Sequence, residues 1–152
     1  MFFGLVKREL PFPVRRKLID TVLIVEDEPL VAFDNEHVLI QAGYRIVATV
    51  GDHDLAIRAI AAGGIDLVVA DVTLNGARTG IDVAHHAAQQ GLPVLFVTAL
   101  CPLDARAIAV GCLAKPYSPR DLVSAIRVVD AICAGVTEPK APPGLHLFAQ
   151  DR

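Results

Sequence analysis

Five side chains with useful chemistry stand at the ends of short apolar runs. Val22-Leu23-Ile24-Val25 runs into Glu26 and Asp27, and Leu67-Val68-Val69-Ala70 into Asp71. Val94-Leu95-Phe96-Val97 ends on Thr98, and Leu113-Ala114 on Lys115-Pro116. If the runs are neighbouring strands, three carboxylates meet at one sheet edge. At ~4 Å and an effective dielectric of ~20, each like-charged pair costs about 4 kcal/mol. Raised pKa values or a hard cation relieve that cost, and oxygen ligands with open positions suit Mg²⁺, which keeps waters and accepts phosphate oxygens. Lys115 then supplies a cation for charge on a phosphoryl group, and Thr98 a hydroxyl donor from the other side. Asp71, alone on its strand end, is the natural covalent acceptor, since carboxylates form aspartyl phosphates. Glu26 and Asp27 are better placed to hold metal. Singly, each residue has a plain reading as a helix cap, a strand end or a surface charge. Together, in this order, they argue against chance.

The elements that must position them alternate. A first strand at Val22–Glu26 precedes a helix with Pro29 in its first turn, running to Gln41 and stopping at Gly43. Leu30, Phe33, His37 and Ile40 mark one face of that helix at spacings of three and four, with His37 as a hydrogen-bonded histidine at the core edge. Tyr44–Val50 reads as the second strand, and Asp52 or Asp54 caps a helix ending near Gly63-Gly64. After the strand ending at Asp71, a loop with Asn75, Gly76 and Gly80 leads into a helix over about Ile81–Gln90, where His85 and His86 face solvent or the boundary. Beyond the fourth strand, Val94–Thr98, Pro102 and Asp104 open a short helix ending at Gly111. Cys112–Ala114 is a brief fifth strand. Ser118-Pro119-Arg120-Asp121 matches a capped helix start, with Leu122, Ile126, Val129 and Cys133 as the buried face and Gly135 as the stop. Five strands and five helices with right-handed crossovers give an α/β doubly wound parallel sheet. Ligands of such sheets bind outside the carboxyl ends of the strands.

Composition sets limits. The chain has 152 residues, 53% of them apolar, which fits one ordered domain. Residues 1–20 read as a leader, and within residues 1–19 five basic residues face Glu9 alone, a net +4. Since the whole chain carries −3, the rest carries −7. An acidic body disfavours nucleic acid as the main partner. The leader's Phe2, Phe3, Leu5, Val6, Leu10 and Phe12 suggest an arm packed on the domain or on a second subunit of a homodimer. Residues 21–134 form the domain. Residues 135–152, with Pro139, Pro142, Pro143 and Gly144, form an extended or mobile tail whose Leu145, Leu147 and Phe148 have something to dock. Cys101, Cys112 and Cys133 lack metal-ligand spacing and read as free thiols in a reducing cytoplasm. No apolar run reaches the ~18 residues of a membrane span, so the expectation is a cytoplasmic protein with no membrane partner.

Val22-Leu23-Ile24-Val25-Glu26-Asp27-Glu28-Pro29, Asp66–Asp71, Val94–Thr98-Ala99 and Lys115-Pro116 together resemble the receiver domain of two-component response regulators, over about Thr21–Ala134. The resemblance implies a flavodoxin-like sheet of order 2-1-3-4-5. It also implies Asp71 as the phosphoacceptor, supplied by a histidine kinase or phosphotransfer protein. Mg²⁺ would be held by Glu26, Asp27, Asp71 and the Thr73 backbone carbonyl. Thr98 would move toward the phosphate, Lys115 would pair with it, and the Lys115–Pro116 bond would be cis. The family's inward-turning aromatic, three residues before the lysine, is here Cys112. Atypical stand-alone receivers of the alphaproteobacterial general stress response also lack it and carry Phe-x-Thr. Phe96-Val97-Thr98 fits that pattern, while Ala99-Leu100 departs from the Gly-Tyr that follows it there. Nothing after Ala134 has the length of an output domain, so the expected output is contact with a downstream protein through the Asp104–Val110 region, the fifth strand and the last helix. The protein would be a phosphoacceptor and not an enzyme with outside substrates.

Three other readings share part of the pattern. A haloacid-dehalogenase-type phosphatase also uses an aspartyl phosphate and Mg²⁺, but needs a second Asp where this chain has Thr73. A flavodoxin needs a hydroxyl- and glycine-rich phosphate loop where Glu26-Asp27-Glu28 would repel the cofactor. A receiver that no longer cycles phosphate would act as a binding module.

Overall fold

In the computed structural model, which describes residues 17–149, the apolar runs form one sheet. The strands are β1 (Thr21–Val25), β2 (Arg45–Val50), β3 (Leu67–Ala70), β4 (Val94–Thr98), β5 (Gly111–Ala114) and β6 (Leu145–Leu147). The helices are α1 (Pro29–Gln41), α2 (His53–Ala62), α3 (Gly80–Gln89) and α4 (Pro119–Cys133). The sheet order is β2-β1-β3-β4-β5-β6, the first five parallel and β6 antiparallel to β5. The fold is therefore the flavodoxin-like α/β arrangement with order 2-1-3-4-5, extended by one short strand.

The continuous apolar character of β1, β3 and β4 follows from burial on both faces. Side chains alternate between two cores. Val22, Ile24, Val69 and Val97 pack with Leu39 of α1 and with Leu122, Ile126 and Val129 of α4. Leu23, Val25, Val68 and Phe96 pack with Ala56 and Ile60 of α2 and with Val83, Ala84 and Ala87 of α3. Each fully buried Val, Leu or Phe side chain contributes about 1.5–3 kcal/mol, so the central strands are the rigid part of the molecule. Helix starts follow local chemistry. Asp52 accepts from Leu55 N at 2.8 Å, and Thr79–Asp82 and Ser118–Asp121 form capping boxes.

Four features depart from the expectations. The face Leu30, Phe33, His37 and Ile40 of α1 points to solvent, with Phe33 67% exposed and its ring stacked on His37. Periodicity identifies a face but not which way it turns. The smaller Ala32 and Asn35, with Leu39, are the buried set. On α4, Leu122, Ile126 and Val129 are buried, but Cys133 in the last turn is exposed. Pro102–Val110 forms no helix and holds only a turn at Arg106–Ile108, leaving four helices in the described residues. A stretch that short is a marginal helix on its own, and here it is pinned at both ends, by the Cys101–Cys112 bond and by Val110 N donating to Val94 O. Finally, the tail is drawn back as β6. Gly111 admits it, since a Cβ there would meet His146 O at 2.7 Å. Covering the β5 edge satisfies backbone groups that would otherwise stand open.

Residues 1–16 of the leader, and with them its proposed docking, lie outside the described residues. Where the chain enters, Leu18 N and Ile19 N donate to Asp130 Oδ2 of α4 at 3.0 and 2.8 Å, and Lys17 Nζ sits 3.9 Å from the Tyr44 ring centroid. No helix among the described residues is long and apolar enough to cross a membrane.

Candidate functional site

The sheet ladder itself delivers the site residues. One step past β1, Glu26 N donates to Val50 O, and one step past β3, Asp71 N donates to Val25 O, both at 2.9 Å. Lys115 N donates to the carbonyl of Thr98 at 2.9 Å. Each backbone is thus fixed by the neighbouring strand end, and the side chains gather at the carboxyl edge.

Glu26, Asp27 and Asp71 offer carboxylate oxygens that all lie within 4.8 Å of one another. Lys115 Nζ donates to Glu26 Oε1 at 2.5 Å and to Asp71 Oδ2 at 2.7 Å. Glu26 and Asp71 are buried, Asp27 half-buried and Thr98 only 2% exposed. One ammonium faces three acids, so the cluster keeps an excess of negative charge. Burial raises the Glu26 pKa above its ordinary 4.5, and the Lys115 hydrogen bond only partly offsets it. Burial acts to lower the Lys115 pKa, but its bonds to Asp71 and Glu26 outweigh that and hold it raised. The donor set is all oxygen, compact and net negative, which fits a hard divalent cation such as Mg²⁺.

The surrounding loops hold the carboxylates in place. Asp71 Oδ1 accepts from Thr73 N at 3.0 Å, and Asp27 Oδ2 accepts from Asn75 N at 2.9 Å. Thr73 is exposed on the loop after β3. The Lys115–Pro116 peptide bond is cis. Cys112, 0% exposed on β5, is disulfide-bonded to Cys101, with Cα atoms 5.9 Å apart. This corrects the reading of free thiols for two of the three cysteines. Parallel pairing of β4 and β5 sets the loop after Thr98 beside β5, within ordinary disulfide reach. Only Cys133 is free among the described cysteines.

Three supporting residues carry no obvious sequence signal. A Cβ at Gly80 would overlap the Asp71 carbonyl, so only glycine lets α3 start this close to the loop after β3. Tyr117 OH donates to Asn35 Oδ1 at 2.9 Å, tying the turn after Pro116 to α1. Asn35 is buried and its Nδ2 has no partner. The Thr79-x-x-Asp82 capping box beside Gly80 could have marked that glycine; nothing in the sequence marks the Asn35–Tyr117 pair.

With this geometry in hand, comparison with known proteins gives the class. The profile of the response regulator receiver domain matches residues 22–127, and the chain belongs to that family. It is 38% identical over 113 residues to the transcriptional regulatory protein PdtaR of Mycobacterium tuberculosis, covering 70% of this chain and 55% of PdtaR. It is 33% identical over 115 residues to the sensory transduction protein RegX3 of Mycolicibacterium smegmatis, covering 72% of this chain and 50% of RegX3. The chain thus spans about half the length of these relatives. Among solved structures, it is similar to the signal receiver domain of a modulated diguanylate cyclase from Desulfovibrio desulfuricans, with TM-score 0.68, 28% identity and coverage of 75% of this chain and 95% of that one.

Proposed function

We propose that Asp71 of this receiver domain accepts a phosphoryl group from the phosphohistidine of a histidine kinase or phosphotransfer protein, and that the phosphorylated domain signals through protein contact. The observation that carries this reading is the three-acid cluster at the carboxyl edge of the sheet with Lys115 Nζ bonded to two of its members. An Asp71 oxygen attacks phosphorus, the donor's N–P bond breaks, and the imidazole leaves with a proton from solvent. Lys115 holds the Asp71 carboxylate in place before transfer and offsets charge on the phosphoryl oxygens afterwards. Glu26, Asp27, Asp71 and the Thr73 carbonyl would hold Mg²⁺, which when bound neutralises the acids and orients phosphate oxygens. Thr98, buried at the end of β4, would donate its hydroxyl to the phosphoryl group. Such a domain transfers and loses its own phosphate without turning over an outside substrate. It would work in the cytoplasm, as residues 21–134 closed by the β6 strand.

Relatives called transcriptional regulatory or sensory transduction proteins support a signalling role. The acidic body of this chain argues against direct nucleic-acid contact. Exposed Leu100 and Leu103, beside the end of β4, are candidates for protein contact. The test is incubation with acetyl phosphate and Mg²⁺ followed by intact-mass measurement. Wild type should gain one phosphoryl group and Asp71→Ala none. No gain in wild type would favour a binding module that does not cycle phosphate, and steady phosphate release from added esters would favour a phosphatase.

A further inference from the structure

Cys101 lies three residues after Thr98, and Cys112 three residues before Lys115. Their disulfide therefore bridges the chain segments that carry the site's hydroxyl and its ammonium group. Cys112 is buried among the side chains of the second core, whereas Cys101 is half-exposed at the edge of that core. Between Ala99 and Asp104 the chain has no regular structure, and Leu100 and Leu103 stand 84% and 102% exposed. Beyond it, Ala105 and Ala109 return to the core. The Ala99–Asp104 segment is thus anchored by Thr98 on one side, by Ala105 on the other, and by the disulfide between them.

We propose that the Cys101–Cys112 bond is a thiol-redox input to the phosphoacceptor: a dithiol reductant opens it, the Ala99–Asp104 segment is released, and the site becomes a better phosphate acceptor. This rests on the reading of Asp71 as the acceptor. A disulfide in a reducing compartment is usually transient and redox-sensing, not a permanent brace. The thiolate of the reductant attacks Cys101 Sγ, the half-exposed partner, so the S–S bond breaks and Cys112 leaves as a thiolate that takes up a proton. The second thiol of the reductant then attacks its own sulfur in the mixed disulfide and releases Cys101. Two electrons and two protons pass to the protein, and the reductant becomes a disulfide. Exchange with an oxidised dithiol runs the steps in reverse.

The direction follows from what the tether restrains. Thr98 is buried at the end of β4, and under the proposed function its hydroxyl would turn to donate to a phosphoryl group on Asp71, a movement that would carry the segment after it. With the disulfide closed, that segment is held at a fixed spacing from β5. With it open, Thr98 and the segment behind it can close on the new group. Release also frees Leu100 and Leu103 to rearrange, which joins redox state to the contact surface.

The test compares the 152-residue chain treated with diamide or with dithiothreitol, each with acetyl phosphate and Mg²⁺, with phosphorylation followed by intact mass. Alkylation first counts thiols, and the expected result is Cys133 alone after diamide and all three cysteines after dithiothreitol. Phosphorylation should run about fivefold or more faster in the reduced protein, the low end of ordinary coupling between sites. Cys101→Ser should match the reduced rate under both treatments; Cys101→Ala serves the same purpose if the serine variant folds poorly. Three alkylated cysteines after diamide, or equal phosphorylation rates in the two forms, would overturn the redox input while leaving Asp71 as acceptor. No phosphorylation in either form would overturn both.

Discussion

Lys115 Nζ lies 2.5 Å from Glu26 Oε1, although the two residues are 89 positions apart in the chain. The contact joins the ends of β1 and β5, which are not neighbours in the sheet. Because the same ammonium also reaches Asp71, it is the main compensation for the acid cluster. Replacing it with methionine leaves two buried carboxylates without their cation. Removing one partner of a buried pair typically costs about 3–5 kcal/mol; the side chain here is 18% exposed, so a loss of about 3 kcal/mol in metal-free buffer is expected. Urea unfolding measures it. Added Mg²⁺ should restore more stability to Lys115→Met than to wild type, and phosphorylation should remain slow.

Glu26 gives a pH signature. Burial raises its folded-state pKa above the ordinary 4.5, so the folded chain holds this proton more tightly than the unfolded one. Its contribution to stability is complete below pH 4.5 and is lost as pH rises through the raised value. Other carboxylates contribute in the opposite sense; Asp82, for example, is lowered by its bond from Thr79 N. The difference between wild type and Glu26→Gln isolates the effect. In chelator, the glutamine variant should gain stability relative to wild type as pH is raised above 4.5, and denaturant midpoints across that range check it.

Gly80→Ala should disturb the Asp71 loop without touching a charged group. The added methyl has to displace the backbone of Asp71 and Val72. Misfit of this kind costs typically 1–3 kcal/mol. Phosphorylation by acetyl phosphate should slow more than stability alone accounts for, because the displaced backbone carries Asp71, the proposed acceptor.

Tyr117→Phe removes the hydroxyl that satisfies Asn35 Oδ1 and leaves the buried amide wholly unpartnered. An unsatisfied buried polar group costs about 1–3 kcal/mol. Replacing both partners with apolar groups of similar shape can be nearly neutral, so Asn35→Leu combined with Tyr117→Phe should recover much of the loss. Thermal or urea denaturation of the single and double variants measures this coupling.

Much of this architecture could be read from the residues alone. Apolar runs ending in Glu26-Asp27, Asp71, Thr98 and Lys115 specify a parallel sheet, because strands buried on both faces read as continuous apolar stretches. The capped starts at Asp52 and Ser118 were equally legible. What failed depended on contacts between distant segments. The α1 stripe of Leu30, Phe33 and Ile40 has helical spacing, yet the small residues Ala32 and Asn35 fit the sheet more closely. The Cys101–Cys112 bond needed the pairing of β4 with β5, and Pro102–Val110, which Pro102 and Asp104 mark as a helix start, holds only a turn in a segment tied by that bond. The β6 strand needed the open edge of β5 and the bare backbone at Gly111. The Asn35–Tyr117 bond links α1 to the turn after Pro116 across 82 positions and has no local pattern.

As proposed, Asp71 receives the phosphoryl group in a Mg²⁺-dependent reaction. Borohydride reduces an aspartyl phosphate to homoserine, so treatment after incubation with acetyl phosphate, followed by peptide mass mapping, locates the acceptor directly. Homoserine is expected at position 71 in the presence of Mg²⁺, and none when chelator replaces it. Homoserine at another acidic position, phosphate retained on a histidine, or labelling at 71 that ignores the chelator would contradict it.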